Sequence, residues 1–477
     1  MSKVVVVGGG LAGISAALAL ADTGDFEVRL LEARGHLGGR VASVKDPRTG
    51  LMLDNCHHAC FRVYDRFLQL LARAEIRSAV RMQARTKLTF TDLDRDVSGV
   101  LSDGRLSPPN HMLGSLLRFP HLRLRDKLRM RHAVKALASM TEEQRLALDD
   151  KPFLEWLKEN GQTEAAISRF WGFFVLAALN IPVDMASTAQ AAFLYQRGLF
   201  GDPHAFDVGG FSSDLSDALG SGLAGTLEVA GVELSTSTKA RSLLWQDGIC
   251  CGVVTRQGEQ EADIVVLAAP HHLTKELLAS GPAAAQRVAA DLAKMRFSAL
   301  IGLHALYSEQ VTPAEFHFST LLDEPIIQMV FNRNRELGRA PGRGIAQWLS
   351  VPISYADPHL DTSDEEFESI YRERIDRLWP GHGDHLERFL VIKTPKATFA
   401  PFTGTQRLRP AADIGVSGLR LAGDFTDCKW PSTMEGAVTS GLLAAASILG
   451  MREWTADDLW AGWPEPPKRG DENWATF

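Results

Sequence analysis

Three glycines near the start of the chain, Gly8, Gly10 and Gly13, follow the spacing G-x-G-x-x-G. That spacing suits a dinucleotide's pyrophosphate. It allows a tight turn, a close backbone approach to the phosphates and close packing of a helix on a strand. Glu32 lies about 20 residues further on, where a carboxylate can hold a ribose hydroxyl. A second pair, Gly38 and Gly39, lets the backbone pass close to the same cofactor, and Arg40 beside it can pair with phosphate oxygens. Asp54, Asn55, Cys56, His57, His58 and Cys60 then crowd into one short stretch. The cysteines and histidines match no zinc spacing and have no second ligand pair, so no metal is expected. His57 and His58 read better as polar groups of a pocket wall.

The elements that must position these residues are legible around them. Val4 to Val7 are four β-branched residues without alternation, which predicts a strand buried on both faces. The Ala/Leu-rich run from Leu11 to Ala21 predicts a helix whose start offers unpaired N–H groups and a positive dipole end to phosphate. FEVRLLE predicts a second strand ending at Glu32. The expected fold is α/β (α+β), with a Rossmann-like nucleotide domain interleaved with a substrate domain of mixed sheet plus helices. A chain of 477 residues is too long for one simple core. The nucleotide domain is placed at 1–85, 205–290 and 405–450, the substrate domain at 86–204 and 291–404, and a tail at 451–477.

Within this frame a short strand ends at Leu53 and a helix starts at about Cys60. Thr141 with Gln144, and Ser363 with Glu366, have capping-box spacing. Ser212 or Ser213 is expected to cap the helix that follows Gly209 and Gly210. Pro182 separates two helices. Phe170, Trp171, Phe173 and Phe174 read either as the lining of a lipophilic tunnel or as plain core. Cys250 and Cys251 alternate along a strand and are read as structural.

A net charge of −7 argues against a general nucleic-acid binder. Five cysteines without C-x-x-C spacing suggest a reducing compartment and no disulfide framework. No basic n-region and no run of 18 apolar residues is seen, so neither a signal peptide nor a spanning helix is expected. The expected setting is the cytoplasm, with peripheral contact on the inner membrane face open. That contact is assigned to 118–135, where Arg118, Arg123, Arg125, Lys127, Arg129, Arg131 and Lys135 stand against Asp126 among leucines and Phe119. Such a stretch suits an anionic membrane surface; the alternative is a solvated helix face. The tail carries Trp454, Trp460, Trp463 and Trp474 and reads as an interfacial anchor, a packed strap or a disordered segment.

EARGHLGGR, residues 32 to 40, resembles the flavin amine oxidase and carotenoid desaturase superfamily, which uses FAD. The resemblance adds Arg34 to the cofactor residues, brings Asn55 and Cys56 past the flavin ring, and places the adenine near Thr238 or Lys239. The closing motif LRLAGDFTDCKWPSTMEGAVTSG implies that Gly423, Asp424, Thr433 and Met434 also serve FAD. FLEWL, RFW, LAALN and PVDMAS resemble the hydroxysqualene dehydroxylase family, also called squalene-associated FAD-dependent desaturases. The likeness runs from residue 3 to about 450. Flavin amine oxidases carry a lysine in the strand reading ALIGLHALY, where alignment puts Ile301, and an aromatic where this chain has Thr433. The resemblance therefore implies reductive removal of a hydroxyl from a lipophilic isoprenoid, hydroxysqualene, to give squalene. Asp54, His57 and His58 are the candidate acids. A carotenoid or polyene desaturase or isomerase is the alternative; an amine oxidase or a non-catalytic FAD-loaded partner protein ranks below it.

Overall fold

A computed structural model describes residues 1–451, 453–471 and 476. The four valines lie in the strand Ser2–Val7, paired in parallel with Phe26–Leu31 on one side and Ile264–Leu267 on the other. Being central, this strand buries both faces, and Val4 to Val7 all belong to the core. Glu233–Ser235 and Leu419–Leu421 complete a five-stranded parallel sheet at its edges. Leu11–Ala21 packs against the helix Met434–Ile448, whose Gly441 is forced by closeness: a Cβ there would stand 2.1 Å from the Ala12 carbonyl oxygen.

A separate seven-stranded sheet runs in the order Leu386–Phe399, Phe297–Tyr307, Gln347–Ser354, Met329–Asn332, Phe318–Leu321, Lys87–Asp92, Val97–Ser102. Its pairs are antiparallel except Phe318–Leu321 beside Lys87–Asp92. One core joins Leu88, Phe90, Phe318 and Phe331 to the helices Leu124–Ser139, Phe153–Glu159 and Gly172–Leu179. Another joins Ile301, Leu303 and Val351 to Phe367, Tyr371 and Ile375 of Asp364–Asp376. The molecule is thus a mixed α/β fold in which a parallel sheet and a mixed sheet each build their own core.

Local expectations meet mixed outcomes. Thr141 and Gln144 form the reciprocal capping box, with both bonds made at 3.2 and 3.0 Å. The Ser363 hydroxyl accepts from Glu366 N–H at 3.1 Å. The helix expected from Cys60 begins only at Asp65, because Cys60–Phe61 pairs as a strand with Gly209 and Val208. Ser212 and Ser213 cap nothing: their hydroxyls donate to the carbonyls of Ser78 and Asp214. Instead Asp54 accepts from Leu215 N–H at 2.9 Å and Ser43 from Ser216 N–H at 3.1 Å. The tail is a packed strap over its described part. Trp460 and Trp463 are buried, and Gln69 bonds both the N–H and the carbonyl of Trp460. Trp474 lies outside the described residues.

Candidate active site

A cavity of about 880 Å³ runs between the two sheets. Its nucleotide end is built from backbone. Gly8 has φ +116°, and a Cβ there would meet the Ala268 carbonyl oxygen at 2.7 Å. A Cβ on Gly13 would come within 1.9 Å of the Gly8 carbonyl oxygen, so strand and helix touch at that point. Gly10 faces open space instead: a Cβ there would meet nothing closer than Gly39 Cα at 3.8 Å. This glycine-walled channel is a cradle that side chains would fill, and it fits a pyrophosphate. Gly38 N–H bonds Gly9 C=O at 2.9 Å, which seats the second glycine pair beside the first.

The Glu32 carboxylate lines the cavity and accepts N–H bonds from Gly9 and Arg34, both at 2.7 Å. Thr238 N–H bonds Glu32 C=O and Ser237 N–H bonds Arg34 C=O, each at 2.8 Å, so 237–241 close this end of the cavity. Arg34 lines it too and donates to Gly39 C=O at 2.9 Å. Arg40 is not a free phosphate clamp. Its guanidinium bonds Asp424 at 2.5 Å and Ala397 C=O at 3.0 Å. Asp424, which also accepts from Ser432, is held below the usual carboxylate range; Arg40, its hydrogen bonds and His271 outweigh the opposing effect of burial. Gly423, Asp424, Thr433 and Met434 all line the cavity. The Thr433 hydroxyl accepts from Gly436 N–H at 3.0 Å, so the helix Met434–Ile448 starts at the cavity wall with its positive dipole end there.

Residues 55 to 59 line the cavity in one continuous run. Asn55 donates to Arg40 C=O at 2.9 Å, while its buried Oδ1 has no partner. Cys56 lines the cavity, with its thiol pushed up by burial to about 12. His57 lines the cavity and stacks on Phe331, ring centres 3.7 Å apart. Its Nε2 stands 3.4 Å from Glu336, and burial brings the ring down to about 3. His58 also lines the cavity and is lowered by burial. Its Nδ1 lies 2.9 Å from Cys56 C=O. A carbonyl only accepts, so Nδ1 carries the proton and the neutral ring keeps its lone pair on Nε2.

Asp54 corrects the sequence expectation. It does not line the cavity; its carboxylate is taken up by Ser43, Leu215 N–H and Arg333 at 2.9, 2.9 and 3.1 Å. Arg333 also bonds Glu336, and Glu336 meets His317 at 3.3 Å. Glu336 is fully buried. Burial opposes its charge, but His57, Arg333 and His317 outweigh burial and pull it to about 2. The floor beneath His57 is therefore an ion network, Asp54–Arg333–Glu336, that sequence reasoning missed. Arg333 and Glu336 stand three apart in FNRNREL, but nothing in that spacing points to Asp54.

The far end of the cavity is apolar. Phe61, Phe173, Phe174, Phe206, Phe318 and Phe331 line it. Phe170 and Trp171 do not; they face the helical core. Along Phe297–Tyr307, alternation sends Ile301 into the opposite core. Leu300 lines the cavity, and at Gly302 a Cβ would meet the Asn55 carbonyl oxygen at 2.9 Å, so no side chain fits. Lys239, at the nucleotide end, is the lysine among the lining residues.

Comparison with known proteins agrees with this architecture. Zeta-carotene desaturase of Solanum lycopersicum is 24% identical over 94% of this chain and 81% of its own length. The 15-cis-phytoene desaturase of Synechococcus elongatus is 25% identical, covering 94% of this chain and 96% of its own. An oxidoreductase from Methanosarcina mazei superposes with a TM-score of 0.70 at 16% identity, over 94% of this chain and all of its own. Putrescine oxidase bound to putrescine also gives 0.70, at 17% identity over 94% and 99%. The flavin containing amine oxidoreductase family matches residues 11–449. With its glycine cradle, its Glu32 and a match over nearly its whole length, the chain belongs to that family and is an FAD-dependent oxidoreductase.

Proposed function

We propose that this oxidoreductase works on a long apolar isoprenoid, and that its reaction is the reductive dehydroxylation of hydroxysqualene to squalene. The observation that carries the reading is the phenylalanine wall at the apolar end of the cavity. An amine substrate is disfavoured by the strand Phe297–Tyr307: Ile301, which stands where amine oxidases carry a lysine, turns into the opposite core, and the strand's cavity side offers Leu300 and Gly302. The W-P-S-T-M-E-G-A segment, with Thr433 in place of an aromatic, supports the same choice.

Held along Gly8, Gly10, Glu32 and the start of Met434–Ile448, reduced FAD would supply the hydride. The chain has three tasks: to bring a proton to the departing hydroxyl, to hold the carbon skeleton in place, and to keep out water that would recapture an allylic cation. The balance is one hydride and one proton in, squalene and one water out. The phenylalanines serve the second and third tasks. For the first, the place of Asp54 outside the cavity speaks against it, and burial disfavours the charged form of His57. His58 lines the cavity with its lone pair on Nε2; since burial disfavours its charged form too, that nitrogen passes a proton to the substrate hydroxyl only after first taking one up.

A second reading, polyene desaturation, is favoured by one specific observation. Burial holds both histidines neutral, the state that takes up a proton rather than giving one. Carotenoid desaturases are also among the relatives. The test is anaerobic. Protein reduced with dithionite is mixed with hydroxysqualene, and flavin absorbance and extracted lipid are followed together. Reoxidation with squalene appearing is expected. A flavin that stays reduced there, together with oxidised protein bleached by a polyene, would overturn the first reading in favour of the second. His58→Gln is expected to lose most turnover; full turnover would remove His58 from the proton path.

A further inference from the structure

Five large apolar side chains that stand open to solvent fall close together in sequence: Leu106, Leu113, Leu117, Leu124 and Leu128, between 41% and 63% exposed. Leu113 and Leu117 are four apart on the helix Leu113–Arg118, and Leu124 and Leu128 are four apart on Leu124–Ser139. Each helix therefore turns one leucine pair outward on a single face. The Lys127 ammonium reaches back to Leu117 C=O at 2.9 Å and ties the two helices together between the pairs. Their inward residues, Met112, Leu122, Met130, Ala133 and Leu137, are buried with Phe90 and Phe119. The segment is anchored, and its outward leucines are surplus to the core.

The exposed charges carried by this segment itself are of one sign. Arg105, Arg118, Arg123, Arg125, Arg129, Arg131 and Lys135 are exposed. Asp126 is buried and accepts from Arg123 N–H at 3.0 Å, so no carboxylate from 104 to 135 is exposed. This stands on a chain of net charge −7. Apolar side chains ringed by cations fit a partner that offers both hydrocarbon and negative charge, which an anionic bilayer surface does. A second copy meeting this face about a two-fold axis would bring cations against cations.

The patch also adjoins the apolar end of the cavity. Arg469 of the tail bonds Asp103 at 2.7 Å and both oxygens of Asp207, clipping the loop ahead of Leu106 to the chain just after Phe206. Phe206 lines the cavity. We infer that 106–135 is a docking surface for an anionic lipid bilayer, set beside the apolar end of the cavity. The inference goes beyond the proposed reaction and does not depend on which isoprenoid is converted.

The test is flotation of the full FAD-loaded chain with vesicles of phosphatidylcholine alone or with phosphatidylglycerol added. Binding is expected to the anionic vesicles only, and to weaken as salt is raised. R125S/R129S/R131S is expected to lose about a hundredfold in partitioning. L117S/L124S/L128S is expected to lose roughly tenfold or more. Flavin absorbance and the unfolding midpoint check that each variant is folded. If the leucine variant does not fold, the arginine variant and the salt series still decide. Parent protein that ignores anionic vesicles, or variants that float as the parent does, would overturn the inference. So would a lipid-independent dimer broken by L117S/L124S/L128S, which would put a second copy on this face. None of these outcomes touches the turnover assay, so the two readings fail separately.

Discussion

A fully buried carboxylate has to be held by its neighbours, and Glu336 is held by Arg333, His57 and His317. Its pKa falls from 4.5 to about 2, so the stability it contributes is present above about pH 4.5 and is lost as pH drops toward 2. His57 falls from 6.5 to about 3; a buried neutral ring likewise stabilises above 6.5 and loses that contribution as pH falls toward 3. Unfolding midpoints measured from pH 7 to 3 are therefore expected to decline in two overlapping stages. His57→Gln is expected to make the part between 6.5 and 4.5 shallower without abolishing it, because burial lowers His271 and His304 as well. Arg333→Met leaves Asp54 and Glu336 buried without their cation and is expected to cost about 3–5 kcal/mol, read by denaturant unfolding. The nucleotide residues were legible because their chemistry is local: Gly8, Gly10, Gly13 and Glu32 act through spacing alone. Asp54 was misread because its partner, Arg333, lies 279 positions away.

Helix starts are where this sequence reads best and where some functional geometry hides. Thr433→Ala removes the cap on Gly436 N–H and is expected to cost about 1 kcal/mol of stability, with weaker FAD retention seen by ultrafiltration, because the same turn lines the cavity. Glu435, two residues after Thr433, turns away and caps a different helix. It accepts from Arg66 N–H at 3.2 Å and Phe67 N–H at 2.8 Å, at the first turn of Asp65–Arg73. That cap in trans, together with the strand pairing of Cys60–Phe61, sets the start of this helix at 65 and not at 60, and no local pattern announces it. Gly13→Ala is expected to abolish FAD binding, since its Cβ would stand 1.9 Å from the Gly8 carbonyl oxygen. Gly225→Ala, in a helix with nothing within 4 Å of the new Cβ, is the control. It is expected to gain up to about 1 kcal/mol.

Across the whole molecule, the tail crosses from one half to the other. Trp463 donates to Asp22 at 2.7 Å and Trp460 packs beside it, while Arg469 reaches Asp103 and Asp207. Cutting the chain after Met451 is expected to cost about 3 kcal/mol or more from the two tryptophans alone, seen as a lower unfolding midpoint. The tail's tryptophans announced burial or an interface, but their spacing held no information on which surface they cover. The interleaving of segments was suggested by chain length and by the return of strand-like runs after 205; the pairing order of the strands was not. That order has a consequence during synthesis. Ser2–Val7 lies between a strand made early, Phe26–Leu31, and one made late, Ile264–Leu267, and the sheet closes only with Leu419–Leu421. At about 5–20 residues per second on the ribosome, the first strand waits on the order of 20–80 s for the last. Through that interval the four valines of Ser2–Val7 lack their full set of neighbours. A nascent chain of this design keeps apolar strand surface open until late in synthesis, and Met434–Ile448, the helix that starts at the cavity wall, emerges after every strand of the sheet.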